Sequence, residues 1–272
     1  MRHYDTTTAE QVRANSIGAL IAIAFAVTVA AVLFAGWFAR AADMTKAAPL
    51  QRPAPVVAGD PWTGFYVFGF GGYSVSKMTP DDFDVGTLVE GFHNPKPKGT
   101  VYGFGGGYNW QSGRFVGGLE VDYGFSQAKD DQSLTSDIGD GKVVSTTLAL
   151  KSKIDALGSA RIRAGFLLGD SFLVYGTGGL GFARSQATIS QTFTAGTESE
   201  TLSASARANN FGWVAGAGIE WAVMQHIRIR AEVLHYDFGS TAYAFQTPFV
   251  LGVNVNSKLT TDVARGALIW SF

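Results

Sequence analysis

Residues 151–166, KSKIDALGSARIRAGF, alternate with a period of two. One parity carries Lys151, Lys153, Asp155, Leu157, Ser159, Arg161 and Arg163. The other carries Ser152, Ile154, Ala156, Gly158, Ala160, Ile162, Ala164 and Phe166. Successive side chains of a strand point to opposite faces, so the stretch predicts a strand with one ionic and one apolar face. The same division sets Arg228, Arg230 and Glu232 against Ile227, Ile229, Ala231 and Val233, and Glu120 and Asp122 against Leu119, Val121 and Tyr123. It recurs with Glu220 against Ile219 and Trp221, and with Arg265 against Ala264, Leu268, Trp270 and Phe272.

Eight such segments are predicted, at 64–75, 100–110, 114–126, 148–167, 171–184, 210–222, 227–239 and 260–272. Short connections (Gln111-Ser112-Gly113, Gly169-Asp170, 223–226) alternate with long polar ones (76–99, 127–147, 185–209, 240–259). That alternation is expected of an up-and-down membrane barrel. The predicted fold is therefore all-β, an eight-stranded antiparallel transmembrane β-barrel over 62–272, with both chain ends on the short-turn, periplasmic side.

An antiparallel sandwich would alternate too, but with its charged face in water and its apolar face in the core. Composition favours the inverted arrangement. Charged residues are 16% of the 272, aromatics are 13%, and there are 34 glycines; a soluble domain averages about 25% charged. Aromatics gather near both ends of the predicted strands, as two interfacial girdles would require. The expected lumen set is Glu120, Asp122, Lys151, Lys153, Asp155, Arg161, Arg163, Glu220, Arg228, Arg230, Glu232 and Arg265. It carries both signs, and a bore only wide enough for side chains can hold such groups only if they pair.

Residues 17–38 form an almost unbroken apolar run behind Arg2 and Arg13, followed by Ala39-Arg40-Ala41. This layout predicts a helical signal peptide over 1–41, cleaved between Ala41 and Ala42 after export through the Sec pathway; a retained transmembrane helix is the competing reading. Pro49, Pro53, Pro55 and Pro61 make 42–61 an extended periplasmic linker.

The ordered series WTGFYV (62–67), GGYNWQ (106–111), GLEVD (118–122), RIRAG (161–165), YGTGGL (175–180), GWVAGAGIE (212–220) and AEVLHYDFG (231–239) resembles the alphaproteobacterial outer-membrane immunogenic, opacity-like surface-antigen family over about 39–272. The resemblance implies an abundant outer-membrane protein with a structural role in the envelope; some members are described as porins. Leu268, Trp270 and terminal Phe272 resemble the signal read by the barrel-assembly machinery.

Other chemistries find little support. There is no cysteine, so thiolate metal sites and disulfides are excluded, and a net charge of −1 gives no footprint for nucleic acid. His3, His93, His226 and His235 are too scattered for a metal site. His235 near Ser240 lacks a nucleophile–base–orienter set. Acidic residues of the long connections, such as Asp81, Asp84, Asp131 and Asp137, read as solvated. No cofactor or metal is expected. The partners expected are outer-membrane lipid and lipopolysaccharide, the assembly machinery, and an external ligand at the long loops. The expected function is a non-catalytic structural and surface-interaction barrel, with a narrow diffusion pore and an envelope-lipid enzyme as alternatives.

Overall fold

The structure is a computed structural model describing residues 61–81, 92–138, 144–245 and 253–272. The signal segment and its cleavage residues Ala39, Ala41 and Ala42, and the linker up to residue 60, lie outside the described residues. Eight strands follow in order: β1 (Gly64–Pro80), β2 (Lys98–Ser112), β3 (Phe115–Ile138), β4 (Val144–Leu168), β5 (Phe172–Ala195), β6 (Glu198–Ala222), β7 (Ile227–Phe245) and β8 (Val253–Ser271). Each pairs antiparallel with its sequence neighbours, and β8 returns to β1 from Tyr66↔Ser271 to Pro80↔Ser257, closing the barrel.

Registered partners traced from Phe211 through Phe182, Gly158, Tyr123, Phe104, Gly69, Leu268 and Ile229 return to β6 at Trp221, ten residues nearer the short-turn end. That stagger inclines the strands by about 40° to the axis and leaves a bore that side chains fill. The faces are inverted relative to a soluble protein. Ile162 and Leu180 are 66% and 72% exposed on the outside, whereas Arg230, inside, is 1% exposed. Gly105 and Gly107 of β2 lie beneath the Phe68 and Tyr66 rings, where an added Cβ would overlap them.

The structure departs from the sequence reading in three places. First, the described parts of three long connections, 127–147, 185–209 and 240–259, are strand or nearly so. The 185–209 stretch is a continuous hairpin whose turn contains Gly196 at a φ of 63°. In these extensions most side chains meet water and the inward face of β6 carries small residues such as Ala204, Ala206 and Ala208, so the apolar alternation weakens while β-branched and hydroxyl residues keep the ladder. Thr135–Thr147, Thr188–Ser205 and Thr192–Thr201 are hydroxyl pairs at 2.9 Å across it.

Second, β4 bulges between Ile154 and Ala156, where it spends two residues while β5 advances from Ser185 to Arg184. The extra residue reverses the parity. Ile154 is therefore buried inside, while Lys151 and Lys153 point outward, and Asp155 ion-pairs with Lys153 at 2.7 Å on the outside. These three residues do not belong to the lumen set.

Third, only part of the bore is ionic. Toward the long-connection end it is filled by apolar side chains, among them Met78, Ala128, Ile154, Leu157, Ala183, Phe238, Leu259 and Val263. There β6 and β7 cease pairing beyond Trp213↔Asp237. β7 bends at Gly239, whose φ is 62° and whose N–H donates to Asp237 Oδ1 at 2.9 Å. The bend carries Tyr243 onto Ala204, Ala206 and Ala208. Its hydroxyl meets Ser185 Oγ at 2.7 Å, and burial pushes that hydroxyl's pKa above its ordinary range.

Candidate functional site: the ionic plug of the lumen

The strand parity brings eight charged groups to one level of the bore. β3 contributes Glu120 and Asp122, β4 contributes Arg161 and Arg163, and β6 contributes Glu220. β7 contributes Arg230 and Glu232, and β8 contributes Arg265. Arg161 bridges Glu120, Asp122 (3.0 Å) and Glu232 (3.1 Å). Arg265 bridges Asp122 (3.0 Å) and Glu232 (2.7 Å). Arg230 bridges Glu120 (2.7 Å) and Glu220 (2.8 Å), and Arg163 contacts Glu220 and, at 3.5 Å, Glu120. Four carboxylates thus face four guanidiniums, and all eight side chains are at most 2% exposed.

Neutral groups add further contacts, although Arg161 Nε, Arg163 Nε and Glu220 Oε2 are left without a hydrogen-bond partner. The Tyr66 and Tyr175 hydroxyls donate to Glu120 and Glu232, and the Ser159 hydroxyl donates to Asp122, each at 2.8 Å. Arg163 stacks over the Tyr175 ring (4.0 Å), Arg265 over Phe70 (4.3 Å) and Arg230 over Phe68 (4.7 Å). Ions taken out of water cost several kcal/mol each, which is offset only when every charge is matched and further hydrogen bonds satisfy it. Sequence reasoning missed these partners. Tyr66, Phe68 and Phe70 share the inward parity of β1, but an aromatic on either face of a membrane strand carries no mark of its side.

Arg228 also points inward but forms no ion pair among the described residues. It donates to the Pro61 carbonyl at 2.9 Å and stacks over Trp62 at 4.3 Å. Trp62 is 1% exposed and packs with Val116, Leu167, Leu173 and Tyr175; its backbone N–H donates to Gln111 Oε1 at 3.1 Å. The residues preceding β1 therefore cap the short-turn mouth. Leu268, Trp270 and Phe272 are exposed on the outer face at β8, and the Phe272 N–H donates to the Phe65 carbonyl at 3.0 Å.

The histidines lie apart. His93 is 3.5 Å from Asp130, His226 Nδ1 is 2.9 Å from the Ser271 carbonyl, and His235 Nδ1 is 2.6 Å from Asp262 Oδ1. Among the described residues no cluster of His, Asp and Glu has the grouping a metal ion needs.

A family model described as "Outer membrane protein beta-barrel domain" matches residues 45–262. The chain is 31% identical over 211 residues to a 22 kDa outer membrane protein of Rhizobium leguminosarum bv. viciae, covering 76% of this chain and 79% of that one. It is 29% identical over 206 residues to the 31 kDa outer-membrane immunogenic protein of Brucella melitensis, covering 74% and 81%. Solved structures similar to it include OprG from Pseudomonas aeruginosa, with a TM-score of 0.40 and 14% identity over 77% of this chain and 97% of that one. The family model over residues 45–262 and the 31% identical relative show that the chain belongs to the outer-membrane β-barrel family, as a protein of the bacterial outer membrane, and the closed wall with its inverted faces agrees.

Proposed function

We propose that the protein is a closed, non-conducting barrel that anchors in the outer membrane and presents its extended strands at the cell surface as a structural and interaction element. The observation that carries this reading is the plug. Four interlocked ion pairs fill the bore at one level, an apolar core fills the next, and Trp62 with Arg228 caps the short-turn mouth. An ion crossing this bore would have to displace matched, desolvated charges and then pass a packed layer of apolar side chains interleaved with buried hydroxyls such as Ser76 and Thr261. Catalysis is not part of the reading. His235 and Asp262 form a pair on the outer wall, but the third neighbour is the Trp213 ring at 5.4 Å, not a nucleophile.

Planar-bilayer recording of the folded protein tests the proposal. The expected result is no stepwise conductance above background. Steady unitary channels of defined size would overturn it in favour of a diffusion pore.

A further inference from the structure

We propose that the outer wall of β2–β5, just beyond its aromatic girdle, binds the phosphate groups of the outer leaflet's glycolipid (lipopolysaccharide) through Lys98, Lys129, Lys153 and Arg184. The inference rests on the outer-membrane placement and is independent of whether the lumen conducts.

Three of these cations are direct neighbours. Lys98 registers with Lys129 and Lys129 with Lys153, all on the outer face. Like charges set directly opposite repel across a sheet, so an anion beside the row relieves that repulsion. Lys98, Lys129 and Arg184 have no carboxylate partner among the described residues, and Lys153 is 55% exposed although Asp155 bridges it. The β4 bulge creates the row. With unbroken parity Lys153 would point into the bore, and the one extra residue turns it out beside Lys129.

The height is right for a headgroup. Moving outward along the outer face, Tyr102 of β2 is followed by Thr100 and then Lys98, and Phe125 of β3 by Gln127 and then Lys129. On β5, Phe182 is followed directly by Arg184. Aromatic side chains mark the interface, and a cation one or two outward-facing positions beyond reaches the anionic headgroup layer. The β7–β8 sector at the same end is different, because its charges satisfy one another: Lys258 pairs with Asp237 at 3.0 Å and His235 with Asp262 at 2.6 Å. The basic row is therefore one-sided, continuous with the lipid-facing wall, and complementary to a phosphorylated lipid.

The test uses the barrel folded in uncharged detergent, its folded state verified by heat-modifiable migration. Binding of bisphosphorylated lipid A, the same lipid dephosphorylated, and inorganic phosphate is measured by native mass spectrometry. Lipid A is expected to bind at least tenfold more tightly than its dephosphorylated form. The triple variant Lys98→Gln, Lys129→Gln, Lys153→Gln should weaken it by roughly 100-fold at low salt, and Lys258→Gln, in the β7–β8 sector where Asp237 already neutralises the charge, should leave it unchanged. Equal binding by the triple variant, equal binding of the dephosphorylated lipid, an equal loss in Lys258→Gln, or inorganic phosphate binding as tightly as the lipid would each overturn the proposal.

Discussion

The two halves of the lumen solve one problem by opposite means. Near the short turns, Glu120, Asp122, Glu220 and Glu232 are locked to Arg161, Arg163, Arg230 and Arg265. Toward the long connections the same strands present Leu157, Ala183, Val214, Leu234, Leu259 and Val263, packed like the core of a soluble domain. Both halves exclude water. They differ in what a lesion leaves behind. In the ionic half, removing one partner strands a desolvated charge. In the apolar half it leaves a void, whose cost scales with its volume.

That contrast sets an order of expected effects. The largest belongs to Glu232→Ala, which removes a carboxylate shared by Arg161 and Arg265 and leaves four buried guanidiniums facing three carboxylates; it should cost about 3–5 kcal/mol in denaturant unfolding of the folded barrel. A loss below about 1 kcal/mol would mean that solvent reaches the plug. Leu259→Ala, in the apolar half, is expected to cost about 2–4 kcal/mol, with a denaturation midpoint no more sensitive to salt than that of the parent protein. If salt changed the size of this loss, the two halves would not be chemically separate. The smallest effect is expected at the bend above both halves. Gly239→Ala places a Cβ at a φ of 62° and should cost about 1–2 kcal/mol in the same assay.

Much of the ionic half was legible in the sequence because charge alternates strictly there, as at Arg161-Ile162-Arg163 against Glu120-Val121-Asp122. The apolar half was not, because a strand with lipid outside and a packed core inside is oily on both parities. Leu157, on the parity of Arg161 and Arg163, could be placed inside, but Met78 and Leu259, in stretches read as connections, carry no mark that separates them from a lipid-facing residue. The β4 bulge escaped notice for a related reason. Asp155-Ala156-Leu157 reads through as unbroken alternation, and only the register with β5 reveals the extra residue that moves Lys151, Lys153 and Asp155 outside. The strand extensions were hidden because water around most of their side chains weakens the apolar period. The cap by Trp62 depends on a contact with Arg228, 166 positions away, that no local pattern encodes.

The inverted wall with its parity switch is tested most directly by single cysteines, which the natural chain lacks. Fluorophores would be attached at Ile162→Cys and Lys153→Cys in the barrel reconstituted in bilayers. The label at Ile162 should be quenched by lipid-chain quenchers and the label at Lys153 by aqueous ones. An Ile162 label shielded from lipid-chain quenchers would contradict the account.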